Sequence, residues 1–177
     1  MNDSHPKNTA QKKQSFFPAR THAFNMHIDY LADHLEFLPT LAQWHHEQWG
    51  YMRPGDSAEA RAARMKALCG REEIPTVLIA FSGSTLFGSA MLVGNDMETR
   101  KELTPWLAGV YVAAEHRRQG IGSALVARVV KCAQGLGVAR LYLYTPSAEV
   151  MYSRLGWSPM ERVNYRGSDV LIMQRNL

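Results

Sequence analysis

The chain has 177 residues, 46% of them hydrophobic and 20% charged, with a formal net charge of +4 at pH 7. That length suits one domain with a real core, and the charged fraction is ordinary for a soluble protein. Lys7, Lys12, Lys13 and Arg20 against Asp3 put +3 of the charge in the first 22 residues, so the remainder is almost neutral and indicates no polyanion-binding face. Cys69 and Cys132 stand apart from each other and from histidine clusters, which excludes a disulfide framework and a zinc pattern. No apolar run approaches the roughly 18 to 20 residues of a membrane span, and the N-terminus lacks an apolar signal core, so a cytoplasmic setting is expected.

Residues 1–22 are polar and read as a flexible tail, with Phe16-Phe17 as an apolar pair within it; residues 23–177 form the domain. Phe24, Met26, Ile28 and Tyr30 alternate with period two and predict a first strand. Leu38 to Tyr51 reads as a helix, with Leu41, Trp44, His45, Gln48 and Trp49 on overlapping faces and Gly50 helping to end it. Asp56-Ser57-x-Glu59 resembles a capping-box start for a second helix to Leu68, closed by Gly70. Ile74–Phe81 and Thr85–Val93 are apolar, β-branched runs separated by Ser-Gly-Ser, a hairpin signal. Leu107–Val112 predicts the next strand, and Ile121, Ala124, Leu125, Val129 and Val130 mark the apolar face of a helix from Gly120 to Gly135. Val138–Tyr144 alternates as a strand and Ala148–Leu155 is a short helix; the last strands are expected at Trp157–Arg162 and Asp169–Arg175. Pattern alone reaches a mixed α/β fold with one layer of sheet.

The most informative stretch runs from Val110-Tyr111-Val112 into a polar turn, where Arg117, Gly120 and Gly122 open the long helix. Glycine there leaves backbone N–H groups uncovered, and the helix dipole adds partial positive charge, so the turn suits a pyrophosphate. No Gly-Lys-Ser/Thr follows, which argues against a nucleotide triphosphatase. Leu125 stands where the dinucleotide fingerprint wants its third glycine, and the turn lies late in the chain. Arg-x-x-Gly-x-Gly, preceded by Val-Tyr-Val and followed by Ala148-x-x-x-Tyr152-x-x-Leu155-Gly156-Trp157, resembles the GNAT superfamily of acyl-CoA-dependent N-acetyltransferases. The likeness is specific from Leu107 to Trp157 and looser from Phe24 to the end.

That resemblance implies an α/β (α+β) domain with a mixed, mostly antiparallel central sheet flanked by helices. It also implies acetyl-CoA as acyl donor, a primary amine as acceptor and no metal. The backbone of Val110, Tyr111 and Val112 would hold the pantetheine arm, with an N–H in the Val112 region aimed at the thioester oxygen. Arg117, Arg118, Gln119, Gly120, Ile121, Gly122 and Ser123 would hold the phosphates. Tyr152 falls where the family often has its general acid. An ordinary tyrosine, with a pKa of about 10, keeps its proton at neutral pH and suits a departing thiolate. Seven residues earlier, where many members carry Asn, this chain has Thr145.

Histone-type members place a glutamate base near the start of the strand before the glycine turn. Here that position is close to Trp106, which accepts no proton. The alternatives are Asp96, Glu98 and Glu102 on the preceding loop, His45, His46 and Glu47 on the first helix, or a relayed water; Glu102 is taken as the base. Adjacent histidines do not share a helix face, which argues against a metal site. Trp44, Trp49 and Trp106, with Tyr51 and Tyr144, would surround the acceptor, suiting a cationic or apolar amine. Asp96, Glu98 and Glu102 would attract a cation. The expected partner is a small-molecule or peptide amine, with no nucleic acid and no membrane, and the late strands of the family imply a possible homodimer. The alternative is a non-catalytic acyl-CoA-binding module; the missing strand glutamate favours it and the retained Tyr152 opposes it.

Overall fold

A computed structural model describes residues 25–177. The tail at 1–22, with Phe16 and Phe17, and Phe24 of the expected first strand lie outside the described residues. Among the described residues seven strands form one sheet: β1 (His27–Tyr30), β2 (Thr76–Ser82), β3 (Thr85–Val93), β4 (Trp106–Val112), β5 (Arg140–Thr145), β6 (Ser158–Tyr165) and β7 (Ser168–Asn176). Their spatial order is β1-β2-β3-β4-β5-β7-β6. Every neighbouring pair is antiparallel except β4–β5. The α-helices are α1 (Leu38–Trp49), α2 (Ala58–Lys66), α3 (Ile121–Gly135) and α4 (Glu149–Arg154). This is the mixed, mostly antiparallel sheet flanked by helices that the glycine-turn resemblance implies.

The near-continuous apolar runs of β2 and β3 follow from burial on both faces of the sheet. Successive side chains of a strand point to opposite faces. Leu78, Ala80 and Leu92 accordingly join Leu125 and Val129 of α3 in one core. Val77, Ile79 and Val93 join Leu41 of α1 and Met65 of α2 in the other. Within the described residues no helix is long and apolar enough to cross a membrane.

Several element ends differ slightly from the sequence expectation, and two differences have a clear physical cause. The N-cap of α2 is Ser57, whose Oγ accepts the Ala60 N–H at 3.1 Å. Asp56 instead turns to Arg61 and Arg64. The final hairpin is longer than expected because Glu161 to Asn164 lie mostly exposed on the edge strand β6 and carry no apolar alternation to read. Its tight turn places Arg166 at φ 51° and Gly167 at φ 80°, the positive values that a two-residue hairpin loop requires.

Two irregularities around β4 position the site. Ser89 pairs with Tyr111 and Met91 with Ala108, so Gly109 and Val110 together oppose one residue of β3, a bulge with Gly109 at φ 56°. On the other side β4 meets β5 at the single pair Trp106↔Tyr142, supported by Tyr142 N–H donating to the Pro105 carbonyl at 3.1 Å. Beyond that pair the two strands diverge, and the sheet opens.

Candidate active site

A cleft of about 710 Å³ occupies this opening. Leu107 to Val110 form one wall, Tyr144, Thr145 and Tyr152 the other, and α1, α2 and the loop after β3 close the outer end.

The bulge is braced from the core side. His45 is 2% exposed, and its Nε2 lies 2.9 Å from Ser89 Oγ, which in turn donates to the Gly109 carbonyl at 3.1 Å. The serine proton goes to Gly109, so Oγ accepts from Nε2–H, which fixes the imidazole tautomer. Burial, assisted by the charge of Arg61, lowers His45 to about 3, so the ring is neutral. Gly109 C=O and Val110 N–H belong to one planar trans peptide and point in opposite directions. A hydrogen bond received by that carbonyl therefore polarises the Val110 N–H, which points away from Ser89.

On the facing wall Thr145 has a definite structural task. Its Oγ1 accepts the N–H groups of Ala148 (2.9 Å) and Ser147 (3.3 Å), which holds the start of α4 against β5. Four residues after Ala148, Tyr152 lines the cleft with its ring edge-on to Trp157. The Tyr152 hydroxyl makes no hydrogen bond within the described residues, and burial raises its pKa to about 12. It carries a proton at every physiological pH.

The glycine turn stands at the start of α3. Gly120 has φ 82° and caps the helix without a side-chain hydrogen bond. A Cβ there would meet nothing within 4 Å, and one at Gly122 would meet only Val112 Cγ2 at 3.6 Å. Space above the first free N–H groups of α3 is thus open to a ligand, a fit for a phosphate group. Arg117 Nε donates to the Val112 carbonyl at 2.9 Å and its guanidinium lies over the Tyr111 ring, so it ties the strand to the turn. Arg118 and Gln119 are exposed beside it, and Ile121 is buried in the core below.

Not every expected acceptor-site residue reaches the cleft. Trp49 lines it, while Trp44 packs against Tyr111 at 5.5 Å outside it. Trp106 is fully buried, its indole N–H donating to the Leu103 carbonyl at 2.5 Å. Glu102 is exposed and does not line the cleft; its neighbours Asp96 and Glu98 do. Burial pushes Asp96 up to about 7 against the opposing charge of Arg166, and Glu98 is paired with Arg166 at 3.1 Å. His46 leans on Asp56, and Glu47 bonds Gln43. Sequence reading missed Arg53, Arg61, Arg64 and Arg166, which line the outer end; an i, i+3 arginine pair following an aspartate was the available signal.

The model of the acetyltransferase (GNAT) family matches residues 38–157. The chain belongs to that family. As a member it is an acetyltransferase that uses acetyl-CoA. Among solved structures, the acetyltransferase is similar to a GCN5-related N-acetyltransferase from Kribbella flavida, at 18% identity, covering 86% of this chain and 98% of that one, TM-score 0.67. A ribosomal-protein-alanine N-acetyltransferase from Brucella melitensis shares 21% identity over 85% and 99% of the two chains, TM-score 0.66. An N-acetylglutamate synthase from Neisseria gonorrhoeae, complexed with coenzyme A and N-acetyl-glutamate, shares 18% over 86% of this chain and 35% of that one, TM-score 0.60. At such identities these likenesses show the fold. No protein of curated function matches the chain significantly.

Proposed function

We propose that this acetyltransferase moves the acetyl group of acetyl-CoA directly to a primary amine, with Val110 N–H as oxyanion donor, Tyr152 as general acid and Asp96 as general base. One observation carries the reading: the divergence of β4 from β5 opens a cleft with a polarised peptide on one wall and, on the other, a protonated tyrosine whose hydroxyl has no hydrogen-bond partner among the described residues. The Neisseria gonorrhoeae structure of the same fold holds coenzyme A, which accords with it.

When bound, acetyl-CoA supplies an acetyl group activated as a thioester. The open N–H groups at Gly120 to Ser123 bind the pyrophosphate, with Arg118 and Gln119 exposed alongside for further phosphate contacts. The divergent edge of β4 positions the arm. A C–N bond forms as the C–S bond breaks. Val110 N–H faces the oxygen that gains negative charge, in a site where such a donor contributes about 3 kcal/mol. Asp96, with its pKa near 7, accepts the proton that the amine must lose. Tyr152 gives its proton to the departing sulfur and recovers one from solvent. Glu102, exposed and away from the cleft, has no part in these steps.

Thiol release from acetyl-CoA across a panel of amines tests this reading. Turnover with an acceptor that collapses in Tyr152→Phe, with acetyl-CoA binding retained, is the expected result. Undiminished turnover in that variant removes the acid.

A further inference from the structure

The outer end of the cleft holds more positive charge than acetyl transfer needs. Arg53, Arg61, Arg64 and Arg166 line it, and Asp96 and Glu98 are the carboxylates among its lining residues. Glu98 is held by Arg166. Arg61 and Arg64, one turn apart on α2, share the single carboxylate of Asp56, whose side chain is 1% exposed. Burial pushes Asp56 up, but hydrogen bonds from Arg64, Arg61 and His46 outweigh it and hold the carboxyl below its ordinary range. One carboxylate neutralises one guanidinium, so the second charge is left over. Tying α2 to the preceding turn would take one arginine.

The arrangement has the form of a prepared anion seat. Arg61 uses Nε and Nη2 on Asp56, and Arg64 uses Nη2, which leaves further N–H donors on both guanidiniums. Each side chain is already held, so little freedom is lost on binding. Arg53 is exposed at the same end, and its side chain has no ion pair or hydrogen bond within the described residues. The field also favours the chemistry, because neighbouring positive charge promotes loss of the proton that an attacking amine must shed.

We infer that this arginine seat receives an anionic group on the acceptor, so that the amine acetylated also bears a carboxylate or a phosphate; the inference rests on the acetyl-transfer reading of the same cleft. It reverses the expectation of a cationic acceptor, since the acidic residues meant to attract one are outnumbered where the acceptor enters. Polyamines meet repulsion there.

The test pairs acceptors that differ in the anionic group alone: L-glutamate and its diamide, β-alanine and its amide, 2-aminoethyl phosphate and ethanolamine, with spermidine beside them. Thiol release should show a KM about tenfold or more lower for the anionic member of at least one pair, as expected for a charge-assisted fork contact. That KM should rise with added NaCl. Arg64→Gln is expected to raise it about tenfold and collapse the ratio within the pair. Arg53→Gln, at an exposed position with no ion pair to break, should shift it the same way by less. Turnover that ignores acceptor charge, prefers spermidine, or keeps its preference in both variants overturns the seat and leaves acetyl transfer standing. Silence with every amine would take down acetyl transfer, and the seat with it.

Discussion

The inner and outer halves of the cleft are built from different material. The inner half, from the glycine turn of α3 along β4, is mostly backbone: a bulge, a diverging strand edge and free N–H groups on an open glycine surface. The outer half, where α2 faces the loop after β3 and the β6–β7 turn, is side chain: arginines, carboxylates and Trp49. Peptide groups cannot be substituted away, whereas guanidiniums and carboxylates can be exchanged one codon at a time. On the proposed reading the donor half is thereby fixed by the fold, and the acceptor half is free to specialise.

The largest test of this contrast is Tyr152→Phe, which should lower kcat about 100-fold or more while acetyl-CoA affinity, read by calorimetry, stays within about twofold. Asp96→Asn comes next. The base works ionised, so wild-type kcat/KM should climb as pH rises through about 7. The variant should lose that limb and fall about tenfold or more at roughly pH 8, with the pH profile deciding. Ser89→Ala removes the donor to the Gly109 carbonyl. It should cost about tenfold in kcat and, by leaving His45 Nε2 unpaired in the core, about 1–3 kcal/mol of stability by denaturant titration. Gly120→Ala forces an L-residue to φ 82°, and the strain of about 1–2 kcal/mol should appear mainly as a several-fold higher KM for acetyl-CoA. Glu102→Gln should change kcat/KM by less than about twofold, as expected of a surface position. A large loss there would bring the base back to the loop feeding β4 and blur the boundary between the halves.

Legibility in the sequence followed the same division. Arg117, Gly120 and Gly122 announce themselves because a turn that uncovers N–H groups demands residue types at fixed spacing, and Tyr152 follows in register behind them. The apolar runs of β2 and β3 and the stripe of α3 were readable because burial imposes a period. The bulge at Gly109 left no trace, since it depends on how β4 lies against β3. Trp106 looked like a cleft aromatic, but strand alternation sends it into the core. Glu102 and Asp96 sit six residues apart in one loop, and only the course of that loop decides which of them reaches the cleft. Arg61 and Arg64 went unread because only the turn before α2, which brings Asp56 beneath them, gives the pair a shared partner.

The brace beneath the bulge has one more consequence. His45 is kept neutral first by burial and only second by Arg61, so its imidazole does not ionise when the arginines above it change. The proposed oxyanion donor would then serve descendants that select very different amines, because rewriting the arginines leaves the neutral His45–Ser89–Gly109 chain of hydrogen bonds beneath it in place.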